Sequence, residues 1–258
     1  STRKESSAAS DVYKRQVDIK PDYAEAYKNL GITLRGTGQL EGAVKSLRKA
    51  LALDSGYVDA HYNLAITLNE LGQYDDAINS YQKAIAINRN FADAHNNLGN
   101  LFKDLGQTDK AIKSYIRAID ISPQFAQAHN NLGTALVDHE RFDDAVKSYN
   151  KAIEINPKFY EAHNNLGQVL IALGQFKAGV DSFKKAIDIN PRFAEAYYNF
   201  GLVLKELKHF DDAINNFHSA VSVKPDFFEA LNNIGSCLSF LGRIDEAIKS
   251  YEKALTIN

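Results

Sequence analysis

A 34-residue pattern recurs along this chain without insertion or deletion, and no other feature constrains the fold as strongly. Its clearest marker is an Asn-Leu-Gly triplet or a close variant, which begins at Asn29, Asn63, Asn97, Asn131, Asn165, Asn199 and Asn233. A fixed period of roughly 20–50 residues indicates an array of stacked units, each of which buries its apolar face against its neighbours. The chain is therefore expected to present a long surface to its partners, and a catalytic pocket is not expected.

Each repeat is predicted to fold as two helices joined by a tight turn. In the third block, residues 92–102 carry apolar side chains at helical spacing, and Gly106 stands where a left-handed residue would end the helix. Asp109 is placed to cap a second helix, and Pro123 closes the block because proline cannot continue a helix. The prediction is a tandem array of helix-turn-helix hairpins.

Small residues recur inside the predicted helices. Glycine in the middle of a helix costs about 1 kcal/mol relative to alanine, so its recurrence indicates that two backbones come close there. The glycines in question are Gly31, Gly99, Gly133, Gly167, Gly201 and Gly235. Large side chains in the second helix are predicted to fill the remaining space, namely Leu47, Tyr81, Tyr115, Tyr149, Phe183, Phe217 and Tyr251.

This spacing of small and large residues, with proline at the end of the block, resembles the tetratricopeptide repeat. The resemblance covers residues 17–258 and gives seven repeats, which start at Ala24, Val58, Ala92, Ala126, Tyr160, Ala194 and Phe228. The slot that often holds tryptophan in the family here holds tyrosine, histidine or leucine. The resemblance implies an all-α fold, a right-handed superhelical α-solenoid whose first helices line a concave groove for peptides or partner proteins.

The first residues are expected to be foreign to the repeats. Residues 1–16 resemble a translated sequencing-library adapter, and the chain contains no methionine. Residues 17–23 match the ends of later blocks, so they are expected to be the end of a truncated upstream repeat. We therefore expect an internal fragment of a longer protein, with the seven repeats in residues 24–258.

The asparagines of the triplets form the first candidate site, named here the asparagine ladder: Asn29, Asn63, Asn97, Asn131, Asn165, Asn199 and Asn233. An amide both donates and accepts hydrogen bonds, so a column of amides can pair with the main chain of an extended ligand whatever its sequence. The ladder resembles that of the superhelical repeat arm of O-linked N-acetylglucosamine transferases. The alternative interpretation is that these asparagines bond between neighbouring helices of the protein itself.

The residue before each ladder asparagine belongs to a second column, which comprises Lys28, Tyr62, Asn96, Asn130, Asn164, Tyr198 and Asn232. This column is expected to flank the groove and to adjust its specificity. Tyr62 and Tyr198 are candidate anchors because aromatic side chains dominate interface energetics. Asn100, one helical turn beyond the ladder in the third repeat, is a further candidate for contact with ligand side chains.

A column of histidines raises the question of a metal site: His61, His95, His129 and His163. Equivalent positions on successive repeats should lie one helix-packing distance apart, roughly 8–10 Å, whereas zinc needs its nitrogen ligands within about 2.1 Å. Neighbouring histidines therefore cannot share an ion, and we interpret them as packing residues. No metal site and no cofactor is predicted.

Composition and motifs narrow the function classes further. The 30 basic and 32 acidic residues are well mixed, so neither nucleic acid nor a membrane surface is an expected partner. No apolar run approaches the ~20 residues that span a bilayer, and no phosphate-binding loop or hydrolase motif is present. Cys237 is the only cysteine, which suits a reducing compartment, and the cytoplasm is the expected location.

The sequence thus predicts a non-catalytic scaffold that binds a protein or an extended peptide along an asparagine-lined groove. Two alternatives remain open at this point. The first is that the repeats are the substrate-recruiting arm of an enzyme, such as a glycosyltransferase, whose catalytic domain lies outside this chain. The second is that the repeats only space other domains or self-associate through uncapped ends.

Overall fold

The computed structural model describes residues 12, 13, 15, 16, 19, 20 and 22–257, so most of the predicted leader, and residues 17, 18 and 21 of the truncated repeat, lie outside the described residues. The described part of the chain contains helices and turns and no strand. The all-α fold predicted from the repeat is therefore confirmed. The chain divides into two compact units, Ser1–Gln124 and Phe125–Asn258.

The described part of the first unit contains three helical hairpins. Each hairpin has a first helix (α1, α3, α5) and a second helix (α2, α4, α6). Their bounds are α1 Ala24–Gly36, α2 Leu40–Leu53, α3 Val58–Glu70, α4 Tyr74–Ile87, α5 Ala92–Asp104 and α6 Thr108–Ile121.

The described part of the second unit contains four hairpins, with first helices α7, α9, α11 and α13. The bounds are α7 Ala126–Val137, α8 Phe142–Ile155, α9 Tyr160–Ala172, α10 Phe176–Ile189, α11 Ala194–Glu206, α12 Phe210–Val223, α13 Phe228–Phe240 and α14 Ile244–Leu255. In both units every first helix begins at the residue where a sequence repeat starts.

Packing within each unit follows one scheme. Every first helix packs on the second helix of its own hairpin, and that second helix packs on the first helix of the next hairpin. First helices of neighbouring hairpins also touch: α1 contacts α3, and α9 contacts α11. The ladder positions of neighbouring repeats are therefore brought side by side within a unit.

The mid-helix glycines are explained by the side chain that each one faces. A Cβ placed on Gly133 would lie 2.7 Å from the ring of Tyr149, and one on Gly201 would lie 2.6 Å from the ring of Phe217. Both rings are almost completely buried. Since real Cβ contacts do not come this close, glycine makes the notch into which the large residue of the same hairpin fits.

The turn between the two helices of a hairpin has a recurring left-handed residue. Five glycines have a positive φ there, and Gly106, with φ +70°, is one of them, as predicted. The amide of Gly106 donates to Lys103 O, and that of Gln107 donates to Phe102 O, which are the two bonds of a Schellman turn. In the fourth and sixth hairpins the left-handed residue is not glycine but Glu140 (φ 57°) and Lys208 (φ 62°).

The start of the second helices differs from the expectation for Asp109. Helix α6 begins at Thr108, and the residue before it, Gln107, makes no capping bond with its side chain. Asp109 therefore lies in the first turn of the helix, and the prediction that it caps the helix was wrong. Acidic residues in this turn face the partly positive helix N-terminus, as the pairs Asp75-Asp76 and Asp211-Asp212 also do.

Candidate functional site

The asparagine ladder lies on the first helices, and all seven of its side chains are half-buried. None is fully exposed, because each lies beside the neighbouring first helix of its unit. Half-burial leaves part of each amide in contact with solvent while the rest contacts protein. The hydrogen bonds that the amides make show which part is used within the protein.

In the second unit the ladder amides donate to asparagines of the second column one repeat earlier. Asn165 Nδ2 donates to Asn130 Oδ1 at 3.1 Å, and Asn199 Nδ2 donates to Asn164 Oδ1 at 2.9 Å. A longer bond of 3.4 Å joins Asn164 Nδ2 to Asn165 Oδ1. These four amides therefore form a continuous hydrogen-bonded chain that connects three successive first helices.

Two tyrosines of the second column also accept hydrogen bonds from ladder amides of the next repeat. Asn97 Nδ2 donates to the hydroxyl of Tyr62 at 2.8 Å, and Asn233 Nδ2 reaches that of Tyr198 at 3.4 Å. Burial raises the pKa of both tyrosines above the ordinary value, so their hydroxyls stay protonated and neutral. Each ring also lies against the phenylalanine that directly precedes the next first helix, Phe91 for Tyr62 and Phe227 for Tyr198, with ring centroids 4.8 Å apart.

The sequence predicted that the second column flanks the groove, but three of its members do not. Asn96, Asn130 and Asn164 are 4%, 6% and 5% exposed, so these three side chains are buried. Buried amides need hydrogen-bond partners, and the ladder of the next repeat supplies them where the bonds are described above. Asn232, in the last repeat, is exposed instead. The sequence-based expectation missed this role because the partners are 35 residues apart.

The remaining candidates have individual surroundings. Lys28 Nζ lies over the ring of Tyr57, 5.7 Å from its centroid. Asn100 accepts a hydrogen bond of 2.8 Å from the hydroxyl of Tyr115, and Asn131 Oδ1 accepts one of 3.0 Å from Gln127. Asn100 lies near the ladder, but its side chain is also hydrogen-bonded to a buried tyrosine of the core.

Two of the histidines, interpreted from the sequence as packing residues, contact the loop that precedes their helix. Nε2 of His61 donates to Ser55 O at 3.0 Å, and Nε2 of His163 donates to Pro157 O at 3.1 Å. In both cases the acceptor is the loop residue six positions earlier, where the block ends. Burial, as the main cause, lowers the pKa of His95 and of His163. The rings of His61 and His163 therefore join the end of one block to the first helix of the next, and burial favours the neutral form of His95 and His163.

The described residues contain no group of metal ligands, no reactive cysteine and no membrane-spanning helix. Within that part of the chain, no group of three or more His, Cys, Asp or Glu side chains is placed to hold a metal ion. Cys237 is completely buried, and burial raises the pKa of its thiol, so it is a packing residue and not a thiolate. A helix long and apolar enough to cross a bilayer is also absent from the described residues.

Several solved structures are similar to this chain. MamA is 30% identical, with a TM-score of 0.57, over 62% of this chain and 94% of its own. YrrB, described as a TPR protein with an unusual peptide-binding site, is 24% identical over 73% of this chain and 97% of its own, with a TM-score of 0.59. The chain of the APC/C hetero-tetramer Cut9-Hcn1 is 19% identical over 91% of this chain and 46% of its own, with a TM-score of 0.74.

Sequence-family comparison identifies the repeat itself. No curated protein matches the chain. A model described as TPR repeat matches residues 33–70, 67–106, 99–139, 133–174 and 167–208. Two models described as tetratricopeptide repeat match residues 194–227 and 228–258. Since these matches extend over most of the chain, the chain belongs to the tetratricopeptide repeat family.

Proposed function

We propose that this chain is a protein-binding module without catalytic activity of its own, and that its asparagine ladder holds the main chain of an extended peptide. The observation that carries the proposal is the half-burial of all seven ladder amides, on first helices that are neighbours within each unit. Side chains at this slot could have been buried completely or left to solvent. The same partial exposure in every repeat favours a surface built for repeated contacts.

The hydrogen bonds leave the ladder amides of Asn165 and Asn199 with capacity for a ligand. An amide offers two N–H donors and two acceptor positions. The bond to the previous repeat uses one N–H of Asn165 and of Asn199. The second N–H remains, together with at least one acceptor position on each Oδ1. A peptide main chain presents donors and acceptors in alternation, so it can bond to such amides without regard to its side chains.

The ladder test compares two triple variants. Asn97, Asn165 and Asn199 are replaced by alanine in one, and the exposed asparagines Asn79, Asn150 and Asn215 of second helices in the other. The probe is a set of peptides selected from a random library on the immobilised wild-type chain. Each lost hydrogen bond is worth about 1 kcal/mol, so the ladder variant should bind these peptides on the order of a hundredfold more weakly.

Circular dichroism at 222 nm checks that both variants remain helical. The control variant should bind the selected peptides as the wild type does. Equal affinity of the folded ladder variant and the wild type would remove the ladder from the binding site. If the library gives no peptide that binds, extended-peptide recognition by this chain is refuted.

A further inference from the structure

We infer that the acceptor-bearing residues of the second column are positioning residues, which turn the ladder amides of the following repeats the same way and so give the groove one strand direction. The inference rests on the proposed function for its consequence, since a direction matters only if a peptide binds. The orientation of the amides, however, is a property of the free chain and can be tested without any ligand.

A single rule accounts for the bonds that ladder amides make to the previous repeat. Asn97, Asn165 and Asn199 each direct Nδ2 to a side-chain acceptor 35 residues earlier. Asn233 Nδ2 reaches such an acceptor, Tyr198, at 3.4 Å and also donates to Glu229 O of its own helix at 2.9 Å. The acceptor is a tyrosine hydroxyl in two cases and an asparagine Oδ1 in the other two. Two unlike side chains thus share one feature, an oxygen that can accept. The feature that sets the amide orientation is therefore the acceptor oxygen and not the shape of the side chain.

The second repeat shows what happens without an acceptor. The residue 35 positions before Asn63 is Lys28, whose ammonium group can only donate. Asn63 Nδ2 accordingly donates to Asp59 O of its own helix, at 2.8 Å. Asn233 makes the same kind of backbone bond, to Glu229 O at 2.9 Å, but it also reaches Tyr198 of the previous repeat. Asn63 has only a lysine at that position, and a lysine gives the amide nothing to donate to.

Burial makes the positioning effective. Asn130 and Asn164 are 6% and 5% exposed, so water does not compete for their Oδ1 atoms. A buried acceptor without a donor is costly, and this cost opposes a flip of the partner amide. The bond from Asn164 Nδ2 to Asn165 Oδ1 adds a second constraint on the same ladder residue. The amides of Asn165 and Asn199 are thereby held in place before a ligand arrives.

Uniform orientation has a consequence for the ligand. On α9 and α11 the ladder amides of Asn165 and Asn199 each point Nδ2 towards the preceding repeat, and Oδ1 lies on the other arm of the same planar amide. The groups left for a ligand therefore occur in the same order at each step. An extended peptide has a fixed order of N–H and C=O along its chain, so one of its two directions matches the amides better. The groove should bind its peptide in a single direction.

The first experiment measures the free chain. Side-chain amide hydrogen exchange by NMR is compared for Asn199 and Asn165 in wild type, Asn164→Leu, Asn164→Asp and Asn232→Leu. Loss of the acceptor in Asn164→Leu should speed exchange at the Asn199 amide on the order of fivefold. Asn164→Asp keeps an acceptor oxygen and should retain slow exchange. Asn232→Leu changes an exposed member of the same column and should alter neither amide.

A gain-of-function variant guards against loss of folding. Lys28→Asn places an acceptor 35 residues before Asn63 and should slow exchange at the Asn63 amide. An Asn199 amide that exchanges at the wild-type rate in folded Asn164→Leu would overturn the inference. So would an Asn63 amide that is unchanged in Lys28→Asn.

The second experiment measures direction. A peptide selected on the wild-type chain carries a nitroxide at its N-terminus or at its C-terminus, and line broadening is read at the amides of Asn165 and Asn233. One label should broaden Asn165 and the other Asn233, and Asn164→Leu should weaken this distinction. Equal broadening by both labels refutes the single direction but leaves peptide binding intact. Failure of the ladder variant to lose affinity refutes the proposed function and leaves the exchange result standing.

Discussion

Two turns in the second unit hold a residue that is poorly suited to their backbone. Glu140 and Lys208 occupy the left-handed position that glycine fills in the other five described turns, with φ of 57° and 62°. Their amides make the same turn bonds as Gly106 does, to Val137 O and Lys205 O. The backbone geometry is therefore retained against the preference of the side chain, and replacement by glycine should relieve the strain.

The size of the gain follows from two opposed terms. A Cβ in the left-handed region costs about 1–2 kcal/mol, whereas glycine loses about 0.5–1 kcal/mol through the greater freedom of its unfolded chain. Each of Glu140→Gly and Lys208→Gly should therefore stabilise the chain by about 0.5–1 kcal/mol. The sites are in different turns without a shared contact, so the double variant should gain about 1–2 kcal/mol.

Urea unfolding followed at 222 nm measures this gain. With a dependence of about 2 kcal/mol per molar urea, the midpoint of the double variant should rise by roughly 0.5–1 M. The matched controls are Glu140→Ala and Lys208→Ala, which remove the same charge but keep a Cβ at positive φ. These controls should show no such rise. Glycine variants that are no more stable than the alanine variants would refute the explanation by backbone strain.

Two further predictions concern the packing of the hairpins and their dependence on pH. Gly201→Val should lose about 1–3 kcal/mol in urea unfolding because its side chain would meet the buried ring of Phe217, whereas Gly36→Ala, with open space around its Cβ, should stay within about 0.5 kcal/mol. The pKa values of His95 and His163 are lowered by burial, so below about pH 6.5 the unfolded chain binds protons first and stability should fall as the pH decreases. Other repeats have tyrosine in this slot, and replacing both histidines by tyrosine should weaken the dependence of the urea midpoint on pH between pH 7.5 and 5.5. If the midpoint of this variant still falls as steeply with pH as that of the wild type, the two histidines do not cause the pH dependence.

Much of the fold could be predicted because every hairpin repeats the same sequence pattern. A hairpin can stack on copies of itself only if every copy presents the same faces at the same positions, so the period locates the first residue of each hairpin. The mid-helix glycines predicted that two backbones come close, whereas at Gly133 the close neighbour is the buried ring of Tyr149. The left-handed turn at Gly106 was also predictable, since few other residues adopt it.

The site was harder to predict because the deciding contacts join different repeats. Asn164 and Asn165 are adjacent in the sequence and alike in chemistry, yet one is buried and the other is half-buried. Successive residues of a helix point about 100° apart, and only the neighbouring helix decides which direction is covered. The available signal was the acceptor oxygen that recurs in the second column, with Lys28 as the exception.

The start of the second helix was mispredicted for a local reason. Asp109 is a good capping residue by type, and it lies close to the glycine that ends the first helix. The Schellman turn, however, uses the amides of Gly106 and Gln107 and brings the chain directly into helix α6 at Thr108. The helix thus starts earlier than the capping residue would allow.

The glycine notch and the ring that fills it also bear on how such a chain can grow. Gly99 and Tyr115, like Gly201 and Phe217, belong to the same repeat. A tandem gene duplication of one repeat would therefore copy both halves of the fit together, and the new hairpin would need no compensating change in its core. The amide pairs instead join consecutive repeats, so each added copy must also match its predecessor.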